Sequence, residues 1–171
     1  TWELVRDWKP GLIAFSCLTQ QYGSALGIAG ALRARAEAER VCLPPLAVGG
    51  IHPTMVPEEV MRDGVWDHVG VGECEDSLLE LVRRVEAGEL ADDVPNFLSW
   101  PAGERPADPT GAEWKHNPVG PFPDFRAQPL PDYGLFDTQR ITDLKDGWFS
   151  VMTSRGCPYR CTYCLNHRIV D

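Results

Sequence analysis

Three short apolar segments, each followed by a segment of helical periodicity, constrain the fold of this chain more than any other feature. The apolar segments are residues 11–15 (GLIAF), 46–48 (LAV) and 69–71 (VGV). Each is too short for a core helix and is bounded by glycine or proline, which is typical of strands buried on both faces. The alternation predicts an α/β fold with a parallel sheet and right-handed crossovers.

The segments that follow the three strands have the features of amphipathic helices. Residues 22–40 place apolar side chains at helical spacing and charged side chains largely on the other side. Pro57, followed by two glutamates, marks the first turn of a second helix. In the third helix, Ser77 and Glu80 have the spacing of a capping box. The apolar positions of the first helix are Tyr22, Ala25, Leu26, Ala29, Leu32 and Ala36.

Charge and hydropathy exclude two classes of partner. The formal net charge of -9 and the pI of about 4.9 argue against a surface built to bind nucleic acid. No apolar run approaches the roughly 20 residues that span a bilayer, and the N-terminus lacks the pattern of a secretory signal. We therefore expect a cytoplasmic protein that binds neither nucleic acid nor a membrane.

Composition divides the chain into three parts. Residues 1–90 carry the strand–helix pattern, and residues 1–9 resemble the end of a helix whose preceding strand is absent, so this α/β domain is expected to be N-terminally incomplete. Residues 91–147 are rich in proline, glycine and aspartate, with scattered aromatics, which predicts an extended interdomain linker. Residues 148–171 are expected to begin a further domain, because a predicted strand at 149–153 runs into a cysteine-rich loop.

Three of the six cysteines are clustered, and the other three are isolated. Cys157, Cys161 and Cys164 fall within the sequence GCPYRCTYC. Disulfides between such closely spaced thiols are strained, so the clustering favours a metal. The spacing lets three thiolates converge on an iron–sulfur cluster, and three ligands leave one iron of a four-iron cluster open. An open position is typical of a catalytic metal site.

The longer segment SVMTSRGCPYRCTYC resembles the cluster-binding region of radical S-adenosylmethionine (radical SAM) enzymes. The resemblance implies that residues 148–171 hold the first strand and the cluster loop of a radical SAM (βα) barrel. Cys157, Cys161 and Cys164 would ligate a 4Fe-4S cluster, and Tyr163 would lie beside the adenine of S-adenosylmethionine. In this family the reduced cluster cleaves S-adenosylmethionine to a deoxyadenosyl radical. The implied partners are a small-molecule or peptide substrate and an external low-potential electron donor such as flavodoxin or ferredoxin.

A zinc site remains an alternative interpretation of the same loop. The three clustered cysteines would then be completed by His167, whose offset from Cys164 also suits a metal loop. The two arginines that flank the loop either neutralise its anionic charge or are ordinary exposed residues. Iron and sulfide bound after anaerobic reconstitution would support the cluster, and zinc without sulfide would contradict it.

The ends of the three predicted strands carry polar or glycine-rich turns, where open parallel sheets bind their ligands. The segments PGLIAFSCLT, VGGIHPT, VPEEVM and VGECEDSLLELV resemble, in this order, the cobalamin-binding domain of one branch of the radical SAM enzymes. VPNFLSW and PLPDYGLFD resemble the interdomain linker of that branch. The resemblance implies a Rossmann-like cobalamin-binding domain, whose cobalamin contacts are Ser16, Thr19, Gly49, Gly50, His52, Gly72 and Glu73.

Two features depart from the family pattern. The Asp-x-His-x-x-Gly motif that supplies an axial histidine in many cobalamin proteins is not found, and His52 stands in a different context. Cys74 occupies a position where glycine is common, and we interpret it as a packing substitution. Four other residues are expected to have no role in binding. Cys17 and Cys42 are expected to be small core residues, and His68 and His116 to face the solvent.

Together the resemblances predict a cobalamin-dependent radical SAM enzyme that uses a deoxyadenosyl radical and methylcobalamin to methylate an unactivated carbon. The alternatives are non-methylating radical chemistry such as cyclisation or rearrangement, a non-catalytic corrinoid- or zinc-binding module, and an α/β part that binds no cobalamin. Because the rest of the barrel is expected beyond Asp171, we expect the 171 residues alone to be inactive.

Overall fold

We describe the protein from a computed structural model, and the structure describes residues 1–149, 151, 154–164 and 166. The chain divides into two compact units, Thr1–Pro121 and Phe122–Asp171. The first unit contains strands at Ile13–Ser16 (β1), Leu46–Gly49 (β2), His68–Gly70 (β3), Phe97–Ser99 (β4) and Lys115–His116 (β5). Its helices are Trp2–Trp8 (α1), Thr19–Glu39 (α2), Ile51–Met55 (α3), Pro57–Arg62 (α4) and Glu75–Ala87 (α5), with a 3-10 turn at Pro101–Gly103.

The five strands form one sheet in the order β1-β2-β3-β4-β5. β1, β2 and β3 are parallel, with Ser16 opposite Gly49 and Ala47 opposite His68. β4 and β5 continue the sheet in antiparallel pairing. The predicted α/β fold class is confirmed, and its three predicted strands form the parallel part. Because these strands run in the same direction, their carboxyl ends share one edge of the sheet.

Two strands lie within residues 91–147, which were predicted to form an extended interdomain linker. They contain three and two residues, too few to show an alternating pattern. Pairing with other strands determines their structure: β4 pairs with β3, and β5 pairs with β4. Every residue of β4 is buried. No strand was predicted at 97–99 or 115–116, so both strands are additions to the predicted elements. The domain limits 1–90, 91–147 and 148–171 stay a prediction.

The core lies on both faces of the sheet, because successive strand residues point to opposite faces. Leu46 and Val48 of β2 belong to a cluster that includes Ala29 of α2. Ala47, between them, belongs to a second cluster with Leu81 of α5. The buried residues of α2 are Ala25, Ala29, Leu32 and Ala36, all of which the helical pattern predicted.

Three local predictions are wrong. Ser77 lies inside α5 rather than at its N-cap, and its hydroxyl donates to Asn96 Oδ1 at 2.9 Å. His68 is only 5% exposed, because the Ser99 and Phe97 side chains of β4 pack against its ring. Cys42 is exposed, whereas Cys17 is buried as expected.

The second unit contains a 3-10 turn at Tyr133–Leu135 and a short helix at Thr138–Asp143 (α6) among its described residues. Aspartate side chains cap both elements by accepting backbone N–H groups. The strand predicted at 149–153 falls mostly outside the described residues, and Phe149 and Val151 have no regular secondary structure. No helix in the described part of the chain is both long and apolar enough to cross a membrane.

Candidate functional site

An open pocket of about 350 Å³ lies at the carboxyl edge of β1, β2 and β3. This volume falls within the range of roughly 300–1,000 Å³ that is usual for small-molecule sites. Leu78 of α5 and Phe97 of β4 also line it, so it opens on the face of the sheet that α5 covers. Five of the seven predicted cobalamin contacts line this pocket: Ser16, Gly49, Gly50, Gly72 and Glu73.

Small residues at facing positions of β1 and β2 form the floor of the pocket. Ala14 lies opposite Ala47, and Ser16 lies opposite Gly49. All four residues line the pocket, so their small side chains leave the space open. A Cβ added at Gly49 would meet no atom within 4 Å. This glycine therefore preserves open volume rather than a strained backbone conformation.

Gly50 is required for a different reason, which is the close approach of two loops. Its φ is +98°, and a Cβ there would lie 2.8 Å from the carbonyl oxygen and 2.9 Å from the nitrogen of Cys17. The loop after β1 therefore packs directly on the loop after β2. Backbone hydrogen bonds join them, from Cys17 N–H to Gly49 O at 3.0 Å and from His52 N–H to Cys17 O at 3.3 Å.

The loop after β3 forms the next wall of the pocket. Gly72 has a φ of +74°, and its N–H donates to Thr54 Oγ1 at 3.0 Å. The thiol of Cys74 also lines the pocket, and burial together with the nearby charges of Glu75 and Glu73 raises its pKa to about 12. The thiol is therefore protonated and uncharged at neutral pH. Its position agrees with a packing role.

The other two predicted cobalamin contacts, Thr19 and His52, do not line the pocket. They form a separate cluster with Tyr22. His52 Nδ1 lies 3.3 Å from Thr19 Oγ1, and the His52 and Tyr22 ring centroids are 4.3 Å apart. The Tyr22 hydroxyl donates to Asp63 and accepts from Trp66 Nε1 at 3.1 Å. Burial and the Asp63 carboxylate raise the Tyr22 pKa, so its hydroxyl stays protonated.

Sequence reasoning missed two residues that support the pocket. The Thr54 hydroxyl hydrogen bonds to Gly50 in the loop after β2 and to Gly72 in the loop after β3. In the sequence, only the spacing of four residues between Gly50 and Thr54 indicates the first of these bonds. Asn96 donates from Nδ2 to Val71 O at 2.9 Å, and its Oδ1 accepts from the Ser77 hydroxyl. Nothing in the local sequence around Asn96 indicates these partners.

The cysteine loop belongs to the second unit. Its three thiols are free, with Cys161 exposed and Cys157 and Cys164 half-buried. The N–H of Cys164 donates to Cys161 O at 3.0 Å, which closes a turn between them. Among the described residues, no three His, Cys, Asp or Glu side chains lie close enough to hold a metal ion. The structure does not gather the predicted ligand set, so the cluster assignment stays a prediction.

Two other residues of this loop were assigned possible roles from the sequence. Tyr163, the predicted neighbour of S-adenosylmethionine, is 91% exposed. His167, the fourth ligand of the zinc alternative, lies outside the described residues. The Tyr163 and His167 assignments therefore stay predictions. Arg155, one of the two arginines that flank the loop, stacks on Phe125 with its guanidinium carbon 4.6 Å from the ring centroid.

Sequence comparisons found one matching family model and two relatives. A family model described as the B12 binding domain matches residues 1–82. A protein from Synechocystis sp. named an uncharacterized methyltransferase is 30% identical over 119 residues, 70% of this chain and 17% of that protein. Another uncharacterized methyltransferase, from Pyrococcus horikoshii, is 25% identical over 164 residues, 95% of this chain and 33% of that protein. The chain thus spans a third or less of the length of these curated relatives.

A comparison with solved structures found a chain with a similar fold. The chain resembles the cobalamin-dependent S-adenosylmethionine radical enzyme OxsB, whose structure was solved with aqua-cobalamin and S-adenosylmethionine bound. The TM-score is 0.73 at 24% sequence identity, and the match covers 95% of this chain and 21% of that chain. At this identity the likeness shows a shared fold.

Proposed function

We propose that the pocket at the carboxyl edge of β1–β3 holds part of a cobalamin, because the B12 binding domain model matches residues 1–82, which include these three strands. A complete cobalamin is far larger than about 350 Å³, so the part that enters would be the nucleotide tail. Ser16, Gly49 and Gly50 would hold this tail. Gly72 and Glu73 would form the adjacent rim.

The observation that carries this proposal is the open floor of the pocket. Gly49 and the facing alanines, Ala14 and Ala47, leave a slot that larger side chains would fill. Leu78 and Phe97 add apolar surface suited to a flat aromatic base. The slot therefore fits a narrow appendage with an apolar end, which agrees with the shape of a nucleotide tail.

The proposal predicts that one added methyl group at the floor weakens corrinoid binding. Gly49→Ala would place a Cβ in the open slot without a backbone clash. Filling a site that a ligand must occupy costs about 1–3 kcal/mol, so we expect a loss of affinity of about tenfold or more. Titration of the protein with cobalamin, followed by corrinoid absorbance after gel filtration, measures this loss.

The matched control is Gly27→Ala, because Gly27 lies on the exposed surface of α2 and a Cβ there also meets no atom within 4 Å. This variant should bind cobalamin as the wild type does. Failure of the wild-type protein to bind cobalamin would overturn the proposed function. Equal cobalamin affinity in the wild type and Gly49→Ala would show that the nucleotide tail does not bind in this pocket.

We further propose that the whole protein is a cobalamin-dependent radical SAM enzyme that methylates an unactivated carbon of a small molecule or peptide. The names of the two relatives, the likeness to OxsB and the cysteine spacing support this proposal. When bound, the cluster with S-adenosylmethionine would supply a radical and methylcobalamin would supply the methyl group. Formation of deoxyadenosine and a methylated product by the full-length protein tests it. Cobalamin binding without deoxyadenosine formation would contradict it.

A further inference from the structure

The side chain of Thr54 connects the two glycine loops that line the pocket. Its hydroxyl donates to Gly50 O at 2.8 Å and accepts from Gly72 N–H at 3.0 Å. We infer that Thr54 is a positioning residue that fixes the separation of these loops and so forms the pocket before a ligand binds. The inference rests on the proposed function, because it assigns Thr54 a role in binding the corrinoid tail.

The two loops need such a restraint because both depend on glycine. Gly50 and Gly72 have φ values of +98° and +74°, and both line the pocket. Glycine has the largest backbone freedom of any residue, so an unrestrained loop of this kind samples many conformations. Ordering such a loop when the ligand binds would subtract from the affinity. The two hydrogen bonds of Thr54 order both loops in advance.

The geometry of Thr54 suits this role. Its backbone N–H donates to the same Gly50 carbonyl at 3.1 Å, so α3 keeps its backbone bond without the hydroxyl. A β-branched side chain has few rotamers, which holds the hydroxyl between the two loops. The hydroxyl has one hydrogen to donate, and Gly50 O receives it. Gly72 N–H fills its acceptor side, so the bridge needs a hydroxyl and not merely a side chain of this size.

The bridge also determines what the loop after β3 offers to a ligand. Because the Gly72 N–H donates to Thr54, it does not point a free donor at the pocket. Val71 N–H, one residue earlier, donates to Asn96 O at 2.8 Å. Two successive amides of this loop are therefore committed within the protein. The loop gives the ligand a fixed surface, unlike an anion-binding nest of free amides.

The test compares Thr54→Val, which removes the hydroxyl at nearly constant volume, with Thr54→Ser, which restores it. We expect Thr54→Val to bind cobalamin about tenfold more weakly, which corresponds to about 1.4 kcal/mol. Thr54→Ser should bind within about threefold of the wild type, since it keeps both hydrogen bonds. Amide hydrogen exchange at Gly72 in the ligand-free protein should be faster in Thr54→Val than in the wild type or Thr54→Ser.

The matched control is Thr142→Val, because the Thr142 hydroxyl donates to Thr138 O at 2.9 Å, the same spacing of four residues, within α6 of the second unit. It should change neither cobalamin affinity nor Gly72 exchange. Thr54→Ala serves as a second variant if Thr54→Val does not fold. Any of three outcomes would overturn the inference. These are wild-type cobalamin affinity in Thr54→Val, cobalamin binding by Thr54→Ser that is as weak as that of Thr54→Val, and amide exchange at Gly72 that is no faster in Thr54→Val than in the wild type. If the wild type binds no cobalamin, the proposed function fails, whereas Gly72 exchange still decides whether Thr54 orders the loop.

Discussion

Asn96 joins three separate segments behind the pocket. Its side chain donates to Val71 O at 2.9 Å and accepts from the Ser77 hydroxyl at 2.9 Å and from Gly120 N–H at 3.0 Å. It is 3% exposed and has a φ of +65°, a conformation that asparagine tolerates better than most residues. One residue thus combines a backbone conformation and a set of buried hydrogen bonds that support the wall of the site.

Replacement of Asn96 separates these two contributions. Asn96→Gly keeps the positive φ accessible but leaves buried partners unpaired, each at a cost of about 1–3 kcal/mol. We expect it to lower the free energy of unfolding by about 2–4 kcal/mol, and Asn96→Ala to lower it by about 1 kcal/mol more. Urea denaturation measures both. An exposed substitution, Gln20→Ala, should stay within about 0.5 kcal/mol of the wild type. A similar small effect of Asn96→Gly would contradict the importance of this network.

At the scale of elements, the attachment of β4 and β5 depends on a buried carboxylate. The Asp92 side chain is 2% exposed, and it accepts from Lys115 Nζ at 2.7 Å and from Ala102 N–H at 2.7 Å. Burial by itself would raise the Asp92 pKa, but the hydrogen bonds and the charge of Lys115 outweigh it and hold the pKa below its usual value. The ionised carboxylate therefore ties β5 and the 3-10 turn to the segment that precedes β4.

The lowered pKa gives a pH dependence of stability with a definite sign. The contribution of Asp92 is fully present above its unfolded-state pKa of about 4 and is lost as the pH falls through the lower folded-state value. Asp92→Asn should therefore destabilise the protein at neutral pH, and the difference from the wild type should shrink below about pH 4. Urea denaturation at several pH values measures it. A difference that grows as the pH falls would show that the folded-state pKa is raised instead.

At the scale of the whole molecule, the two proposed cofactor sites belong to different units. Residues of Thr1–Pro121 alone line the pocket, whereas the three clustered cysteines lie in Phe122–Asp171. A variant with Cys157, Cys161 and Cys164 all replaced by serine should lose iron and sulfide binding but keep the cobalamin affinity of the wild type. Anaerobic reconstitution should give the wild type about four irons per chain. Stoichiometric zinc without sulfide in the wild type would contradict the assignment of an iron–sulfur cluster.

Local sequence patterns were sufficient to predict the three parallel strands, helices α2, α4 and α5, and the glycine-containing turns that line the pocket. Each of these features depends on residues within a few positions of one another, such as the spacing of Ala25, Ala29 and Ala36 in α2 or the position of Gly49 at a strand end. The order of these patterns along the chain also carried the resemblance to a cobalamin-binding domain, which the family comparison confirms for residues 1–82.

The side chains that hold the pocket together make contacts between distant parts of the chain. Thr54 meets Gly72 across 18 residues, and Asn96 meets Val71 across 25. β4 and β5 are too short for a local pattern; β4 forms against β3, and β5 forms against β4. His68 is buried because Ser99 and Phe97, about 30 residues away along the chain, pack against its ring. Such contacts depend on which distant segments the folded chain brings together, so no local periodicity or spacing records them.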